Sequence, residues 1–495
     1  MLRRTIASDL ADEVTDELPV PGAADVVVAY ADAGHAIESC VAAVAPGGIL
    51  YLEVDRVRRG TRATSPRRVA ALLRTAGLTA SAWYAVEPDL EHARAYVPLH
   101  LPQAMSWHRR TQFGDSARLR AADLVRRSAV RVAGPTAGAR GRSYVVVAAR
   151  APTEPLPASL IDSGVATALG ATPAGAVMLT YGGDRVLLFP FATGAREPMG
   201  VVKVPKTASL ASRTENEQTR MQALRATLDA TLAAAIPEPL GTVGHLASRA
   251  AMERYCPGVA IAARASDPAR ELDDKRTDLR LAMDWLARFH RATVTRTATL
   301  GSVRGDVLDP LLDAFARELG SAETAPFLQA MRDVAQALGA LPINVGCEHR
   351  DFAAWNILRD GSSIAVVDWE GARGGFPARD AVHLATTWLY MVRLSDGVRD
   401  ELRCAHELFV PAIDRDAAAA AAWAALLWYF DEVRIDHRLA PLILATHRIE
   451  LALRRAAQER LHGEDGRGRE SEEMRVLRGL TVDVPNALFP VGTRS

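Results

Sequence analysis

The chain reads CEHRDFAAWNIL at residues 347–358 and IAVVDWEGA at residues 364–372. The first stretch places a carboxylate, Asp351, and an amide, Asn356, five positions apart in one loop. The apolar run IAVV predicts a short strand that ends on a second carboxylate, Asp368. Carboxylate and amide oxygens are ligands for a hard divalent cation, and a further carboxylate can orient a hydroxyl group. The two stretches together therefore predict a cation-dependent catalytic site.

Length and composition indicate a globular protein of several domains. A chain of 495 residues exceeds what one hydrophobic core usually organises. Hydrophobic residues make up 49% of the sequence and charged residues 24%, which is ordinary for a folded protein. Because 59 basic residues balance 59 acidic ones, the overall charge gives no attraction to nucleic acid. We therefore expect no nucleic-acid partner.

Cysteine spacing and apolar runs bear on location. The four cysteines are far apart and form no C-x-x-C pair, which favours neither a disulfide framework nor a zinc site. The longest apolar run, AAAAAAWAALLWYF, is too short and too rich in alanine to span a bilayer. The start MLRRTIASDLADEV lacks the apolar region of a signal peptide. The sequence predicts a cytoplasmic protein without a membrane partner, and its oligomeric state stays open.

Residues 1–150 alternate between strand and helix patterns. ADVVVAY and TASAWYAV predict strands, and HAIESCVAAV and PRRVAALLRTAGL predict helices. A Pro-Gly-Gly turn in APGGILYLEV leads into another strand, and SYVVVAAR predicts the last one before the proline-rich break APTEPLPAS. Such alternation indicates an α/β sheet, and the break predicts a domain boundary near residue 150.

This order of elements resembles the second half of a class I S-adenosylmethionine-dependent methyltransferase over about residues 20–150. The resemblance implies a partial Rossmann-like, methyltransferase-type sheet that is completed by an antiparallel last strand. The glycine-rich turn and the ribose-binding acidic residue of a dinucleotide-type site are missing from this stretch. Gly47 and Gly48 are therefore interpreted as a structural turn and not as a cofactor contact.

Two further parts are predicted at residues 151–258 and 259–495. In the first, GAVMLTY, RVLLFPF, MGVVKVPK, IPEPLG and RAAMERYCPGVA predict strands of an antiparallel sheet, and SLASRTENEQTRMQALRATL predicts one helix. Lys203 then lies on a strand and Glu217 on the helix that follows. The second part is mostly helical, and DLRLAMDWLARFHRATV puts leucine, tryptophan and phenylalanine side chains on one apolar stripe.

Phosphoryl transfer from a nucleotide needs few protein groups, because catalysis consists mainly of positioning and charge neutralisation. A carboxylate orients the acceptor hydroxyl, and an amide oxygen with a second carboxylate holds the cation. The spacing of Asp351 and Asn356 matches the catalytic-loop pattern H-R-D-x-x-x-x-N, and Asp368 supplies the second carboxylate. The sequence thus offers a candidate for each of these roles.

The nucleotide phosphates also need a cation, and lysine is rare in this chain. Only three of the 59 basic residues are lysines, and two of them lie in VVKVPK. A compact ammonium and a planar guanidinium are not interchangeable at a phosphate. Lys203 and Glu217 fit the ion pair that holds a phosphate-binding ammonium in place. Lys206 is the alternative, but it follows a proline at a strand end, which favours Lys203.

Over about residues 160–460 the sequence resembles the aminoglycoside phosphotransferase and choline kinase family of the protein-kinase-like fold. EHRDFAAWNIL, AVVDWEGA and PARDAVHLA carry the resemblance. It implies a bilobal fold in which the second part of the chain is the N-lobe and the third is the helical C-lobe. It also implies that Asp351 is the catalytic base and that Asn356 and Asp368 bind Mg²⁺.

The same resemblance implies a nucleotide-binding side. Lys203 would contact the α- and β-phosphates of ATP, and Glu217 would brace it. The stretch MERYCPG resembles the hinge between lobes, where the backbone around Glu253 to Tyr255 would meet the adenine. These residues complete the predicted site.

The predicted function is ATP- and Mg²⁺-dependent transfer of the γ-phosphate to a hydroxyl of a small molecule, of the sugar, aminoglycoside or amino alcohol class. Arg350 stands where many members of the family have glycine, which leaves a pseudokinase or scaffold as an alternative. The first part of the chain leaves a methyltransferase with an accessory kinase-like domain as another. The acceptor and the choice between ATP and GTP stay open.

Overall fold

The computed structural model of the chain has two compact units. The first consists of Met1–Gln218 and Pro239–Tyr255, and the second of Thr219–Glu238 and Cys256–Ser495. The structure describes residues 24–31, 37–55, 65–90, 92–113, 134, 143–150, 166–180, 185–207, 210–245, 248–322, 324–398, 404, 407–408 and 415–461.

One mixed sheet of ten strands dominates the first unit. The strands are β1 (Ala24–Ala31), β2 (Val44–Val54), β3 (Leu78–Glu87), β4 (Ala95–Pro98), β5 (Tyr144–Arg150), β6 (Gly175–Leu179), β7 (Arg185–Phe191), β8 (Val201–Pro205), β9 (Pro239–His245) and β10 (Ser248–Glu253). Their order in the sheet is β1-β2-β5-β3-β4-β6-β7-β8-β10-β9. The helices are α1 (Ile37–Ala43), α2 (Pro66–Thr75), α3 (Pro102–Phe113) and the first half of α4 (Ala211–Thr227).

The strand directions in residues 24–150 are those of a mixed sheet. β1 and β2 are parallel, and β5 lies antiparallel to both β2 and β3, so that β1, β2 and β3 run in one direction. The Pro-Gly-Gly segment differs from the prediction. It lies within β2, where the pairing with β1 shifts and Gly47 has a φ of 81°. It is therefore an irregularity inside the strand and not a turn before it.

Residues of β5 are buried on both faces of the sheet. Tyr144 and Val146 belong to the larger core of this unit, which also contains Val41 and Val69 from α1 and α2. Val145 belongs to a separate cluster on the opposite face. This alternation is what a two-residue strand repeat produces, and the β-branched run VVV suits a strand with two covered faces.

The sheet continues from the first predicted part of the chain into the second. β4 pairs antiparallel with β6 through Ala95 with Leu179 and Tyr96 with Met178. The proline-rich break that predicts a domain boundary lies at residues 151–165, outside the described residues, so that boundary stays a prediction. The methyltransferase-type assignment of the first part also stays a prediction.

The second unit is mostly helical, as predicted. Its helices are α5 (Ala230–Ala234), α6 (Ile261–Ala265), α7 (Leu272–Ala292), α8 (Leu300–Val307), α9 (Asp309–Leu319), α10 (Ala325–Ala337), α11 (Ala378–Ser395), α12 (Ala417–Glu432) and α13 (Ala440–Leu461). Two three-stranded sheets accompany them, β11-β14-β15 and β12-β13-β16. These strands are β11 (Val259–Ala260), β12 (Arg296–Thr299), β13 (Pro342–Glu348), β14 (Ile357–Asp360), β15 (Ser363–Val366) and β16 (Arg373–Gly375).

Aromatic rings form the centre of the second core. On the predicted stripe of α7, Trp285 stacks on Phe289 with ring centroids 5.0 Å apart, and Trp285 also stacks on Phe352 at 5.8 Å. Trp369 packs edge-on against Phe289 at 5.4 Å. Because Phe352 and Trp369 lie in the two stretches quoted first, this core fixes both of them. No helix in the described part of the chain is long and apolar enough to cross a bilayer.

Candidate active site

The loop between β13 and β14 presents Asp351 and Asn356 together. The Asn356 amide nitrogen donates to the Asp351 carbonyl at 2.9 Å and to Asp351 Oδ2 at 2.8 Å. Asp351 is half-buried and Asn356 is buried. The five-residue spacing thus closes a compact turn, in which the amide of Asn356 fixes the orientation of the carboxylate.

His383, on α11, holds the other carboxylate oxygen of Asp351. Its Nε2 lies 3.1 Å from Asp351 Oδ1, and an imidazole N–H donates there because a carboxylate only accepts. Burial alone would raise the pKa of Asp351. The hydrogen bond from His383 and the basic groups nearby, including Arg454, outweigh burial and lower the pKa to about 2. Asp351 is therefore ionised throughout the neutral range.

Asp380 and His349 fix the backbone of the loop. The Asp380 carboxylate accepts hydrogen bonds from the backbone N–H groups of His349 at 2.6 Å and Arg350 at 2.8 Å. Burial lowers the pKa of His349 and favours its neutral form. In that form Nε2–H donates to the Val367 carbonyl at 3.1 Å, and Nδ1 accepts from the Asp351 N–H at 3.3 Å. His349 therefore serves the loop as a structural residue.

Asp368 follows β15 and is tied to the loop through the preceding residue. The Val367 N–H donates to the Asn356 carbonyl at 2.9 Å. Asp368 is half-buried, and its backbone has a φ of 71°, which a residue with a Cβ rarely adopts. Strained backbone of this kind persists where surrounding structure enforces it, commonly at functional sites. The end of β15 thus places Asp368 next to a residue that is hydrogen-bonded to Asn356, the other predicted cation ligand.

Lys203 lies on β8 in the first unit and is held by two carboxylates. Its ammonium lies 2.5 Å from Glu217 Oε1 and 2.8 Å from Glu253 Oε2. Glu217 also forms an ion pair with Arg185 at 2.9 Å. The side chains of Lys203, Glu217 and Glu253 are at most 4% exposed. The predicted strand-lysine and helix-glutamate pair is present, and Glu253 adds a second partner.

The surroundings of Glu253 shift its pKa. Burial, together with the nearby charge of Glu217, raises the pKa of Glu253, and the attraction of Lys203 opposes the rise. Lys206 lies beyond the end of β8. Lys203, on the strand, therefore has both carboxylates as partners, and Glu217 also binds Arg185.

Tyr255 packs toward the first part of the chain. Its hydroxyl accepts a hydrogen bond from Trp107 Nε1, on α3, at 2.8 Å. The Trp107 ring also lies against Phe189 and Phe191 of β7, at 4.7 and 5.5 Å between centroids. Residues of the predicted hinge are therefore anchored by side chains, Glu253 to Lys203 and Tyr255 to Trp107.

The structure thus forms two clusters of the predicted site residues. Lys203, Glu217 and Glu253 lie together in the first unit. Asp351 and Asn356 lie together in the second, with Asp368 connected through the backbone. His383 was not predicted to touch this site, although PARDAVHLA placed it three residues after Asp380, close to one helical turn away. That spacing could have indicated that His383 lies on the same side of the helix as Asp380 and near the loop.

Comparison with protein families identifies the class. A sequence model of the phosphotransferase enzyme family, APH, matches residues 193–423, which contain both clusters. This part of the chain therefore matches the phosphotransferase enzyme family, and the resemblance predicted from the sequence is confirmed for it. The prediction of a phosphotransferase enzyme is confirmed at this level. A comparison with curated proteins finds no match.

Solved structures similar to this chain include three kinases. A glucosamine kinase in complex with glucosamine, ADP and inorganic phosphate is 17% identical, with a TM-score of 0.37 over 63% of this chain and 94% of that one. The amicoumacin kinase hAmiN in complex with AMP-PNP, Ca²⁺ and Ami is 14% identical, with a TM-score of 0.42 over 65% and 91%. A thermostable mutant of the aminoglycoside phosphotransferase APH(4)-Ia is 15% identical, with a TM-score of 0.41 over 68% and 100%. Likenesses of this size carry no information about activity.

Proposed function

We propose that the protein transfers the γ-phosphate of Mg·ATP to a hydroxyl group of a small molecule. The observation that carries the proposal is the fixed geometry of one loop, in which Asn356 holds Asp351 at 2.8 Å and His383 holds its other oxygen at 3.1 Å. A carboxylate and an amide so arranged are what phosphoryl transfer requires of a catalytic loop. The family match over residues 193–423 supports the same reaction class.

Asp351 acts as the base. With a pKa of about 2 it is ionised at neutral pH and accepts a hydrogen bond from the acceptor hydroxyl. A carboxylate this weakly basic orients the hydroxyl first and takes its proton as the new bond to phosphorus forms. The hydrogen bonds from Asn356 and His383 hold the carboxylate in place for that step, which is a positioning effect.

Asn356 and Asp368 are the proposed Mg²⁺ ligands. Both described hydrogen bonds of the Asn356 amide use its nitrogen, and amide and carboxylate oxygens are the donors that Mg²⁺ prefers. Among the described residues, no group of three or more His, Cys, Asp or Glu side chains is arranged to hold a metal by itself. A cation that takes its other ligands from nucleotide phosphates and water fits this donor set. When bound, Mg²⁺ would neutralise charge on the phosphates.

Lys203 is the proposed phosphate ligand, and Glu217 braces it. The carboxylates of Glu217 and Glu253 hold this ammonium at 2.5 and 2.8 Å, in a position from which it would face the α- and β-phosphates as a point charge. The backbone around Glu253 to Tyr255 is the proposed adenine contact. The bond from Trp107 to Tyr255 restrains that segment.

A small-molecule hydroxyl is the proposed acceptor, of the sugar, aminoglycoside or amino alcohol class. The resemblance of the loop to aminoglycoside phosphotransferases and choline kinases supports this class. Trp355 lies between Asp351 and Asn356 with 43% of its surface exposed, although packing would be the usual role of a tryptophan in such a loop. An exposed aromatic side chain in the same loop supports an organic acceptor.

For residues 24–150 we infer a partial Rossmann-like sheet of the methyltransferase type. Three strands in one direction and a reversed strand between two of them support this inference. The irregularity at Gly47 lies within the strand pairing, which supports a structural role for the glycine pair. The proposed role of this part is structural support of the kinase-like part.

Thermal unfolding with and without Mg·ATP tests the nucleotide site. A ligand that binds only the folded protein adds about 2.7 kcal/mol at about 100 times its Kd. We expect a Mg²⁺-dependent rise in Tm for the wild type and its loss in Asp368→Asn. Asp360→Asn is the matched control, because Asp360 is exposed at the end of β14, outside the loop.

Two results would contradict the proposal. One is a wild type whose Tm does not move at saturating Mg·ATP, which would favour a scaffold without nucleotide. The other is an equal shift in the wild type and Asp368→Asn, which would mean that Asp368 does not bind the cation. Repeating the titration with Mg·GTP identifies the preferred base.

A further inference from the structure

Arg350 adopts a backbone conformation that its residue type disfavours. Its φ is 70°, and among the described residues only two other non-glycine residues, Asp368 and Arg434, have φ in this left-handed region. A Cβ crowds the backbone there, whereas glycine adopts the conformation freely. Arg350 immediately precedes Asp351, so the torsion angles of Arg350 set the direction in which the base points.

The last described helix, α13, holds Arg350 at two points. Arg350 Nε donates to Glu450 Oε1 at 2.6 Å, and the Arg350 carbonyl accepts a hydrogen bond from Arg454 Nη2. Glu450 and Arg454 are four residues apart, on the same face of α13. The Arg350 N–H meanwhile donates to Asp380 at 2.8 Å. Side chain, carbonyl and amide of this residue are all fixed.

Glu450 is itself rigidly placed. Its side chain is 5% exposed and forms an ion pair with Arg379 at 2.8 Å. Arg379 in turn makes two hydrogen bonds to Glu348, at 2.8 and 2.7 Å, and Glu348 is the last residue of β13. The strand that enters the loop and the strained residue inside it are thus connected to the same helix. An anchor of this kind can offset the cost of the left-handed conformation.

We propose that Arg350 is a positioning residue, whose attachment to Glu450 and Arg454 holds the strained backbone that aims Asp351. The inference rests on the proposed function of Asp351. The Arg350 side chain is only 18% exposed, and its Nε is hydrogen-bonded to Glu450, so it serves as an anchor and not as a phosphate ligand. If residue 350 relaxed to a negative φ, Asp351 would leave His383 and Asn356, which now hold both of its oxygens.

A matched pair of variants separates the backbone effect from the charge. Arg350→Ala removes the side-chain attachment to Glu450 and keeps the Cβ that disfavours the conformation, whereas Arg350→Gly removes that attachment and the Cβ together; the backbone bond to Arg454 remains possible in both. We expect γ-phosphate turnover, measured as hydrolysis of Mg·ATP, to fall at least tenfold in R350A. R350G should turn over at least tenfold faster than R350A. The apparent Kd for Mg·ATP should change much less than kcat in both.

Unfolding temperature supplies a readout that does not depend on activity. Without nucleotide, the Tm of R350G should exceed that of R350A by about 2–4 °C, because only alanine retains the strain. Glu450→Gln should reduce turnover more in the wild-type background than in the R350G background, since only the wild type relies on that anchor. If R350A does not fold, Arg350→Met, which also keeps the Cβ and lacks the charge, takes its place.

Equal turnover and equal Tm in R350G and R350A would overturn the inference. Equal and severe losses of turnover would mean that the guanidinium itself acts in the reaction. Absence of losses in both would mean that no anchor is needed. Failure of the proposed function looks different, because the wild type would then show no Mg·ATP turnover while the Tm comparison still tests the anchor.

Discussion

Lys203 illustrates how burial makes single residues decisive in this protein. Its ammonium lies between two carboxylates, and Glu217 additionally binds Arg185, so that four charged groups balance one another. Breaking a buried pair by removing one partner costs about 3–5 kcal/mol, because the other charge stays desolvated. Burial raises the pKa of Glu253, which makes its charged form less favourable than that of an exposed glutamate.

Substitution of Glu217 and of Glu253 by glutamine is therefore expected to lower the free energy of unfolding by different amounts. Glu217→Gln should lower the free energy of unfolding by about 3 kcal/mol, since it leaves Arg185 and Lys203 without their shared carboxylate. Glu253→Gln should cost about 1 kcal/mol, the scale of one hydrogen bond. Urea denaturation of both variants at neutral pH measures the difference. A loss in Glu253→Gln as large as in Glu217→Gln would contradict the assignment.

The sequence predicts individual site residues where the spacing is local. Asp351 and Asn356 share one loop, and the pairing of Lys203 with Glu217 follows from a strand and the helix after it. The side-chain contact of Glu253 with Lys203 arises across two strands. Lys203 is opposite Ala251 in the register of β8 with β10, and Glu253 lies two residues further on the same face. The spacing of residues along the chain does not predict a register between two such distant strands.

At the scale of the elements, capping of a helix end stabilises the second unit. Asp416 caps α12 by accepting hydrogen bonds from the N–H groups of Ala418 and Ala419 at 3.1 and 3.0 Å. Its carboxylate also binds Arg393 of α11 at 2.7 Å. The hydrogen bond from Arg393 lowers the pKa of Asp416 to about 2. One side chain thus joins two helices of the second unit.

This contact predicts a dependence of stability on pH. The pKa of Asp416 is lower in the folded protein than the ordinary value of about 3.9, so its contribution is complete above that value and is lost as pH falls toward 2. Asp416→Asn keeps a good cap and loses the charge. Because the side chain is 55% exposed, we expect a loss of only about 0.2–1 kcal/mol at pH 7.

Urea unfolding midpoints of wild type and Asp416→Asn, compared at pH 7, 5 and 3, check this expectation. The difference should be constant between pH 7 and 5 and smaller at pH 3. A difference that grows as the pH falls would show that the ion pair with Arg393 is not its cause.

Elements with strong periodicity could be predicted, and the short elements between them could not. The strands of β5, β7 and β8 and the helix α7 lie where the sequence patterns predict them. β4 has only four residues, AYVP, and no alternation long enough to detect. It is nevertheless the strand that joins the two halves of the ten-stranded sheet. Pairing between distant segments decides such joins, and a local pattern does not report it.

At the scale of the whole molecule, one sheet joins the first part of the chain to the strands of residues 175–253. β4 pairs with β6, and Trp107 packs on β7 while it donates to Tyr255. The strands of residues 24–150 thereby cover an edge of β6 that would otherwise offer unpaired backbone groups. The composition predicts several domains, but the continuous sheet could be known only from the structure.

The central claim is that Asp351 catalyses transfer of a γ-phosphate, and its most direct test is turnover of γ-labelled ATP with Mg²⁺. The assay supplies a panel of sugars, aminoglycosides and amino alcohols, and water serves as the default acceptor. We expect labelled phosphate to reach at least one hydroxyl compound, and Asp351→Asn to be at least about 100-fold slower, in the range that general-base catalysis contributes. Equal turnover in the wild type and Asp351→Asn, or no turnover in a wild type that binds Mg·ATP, would contradict the account.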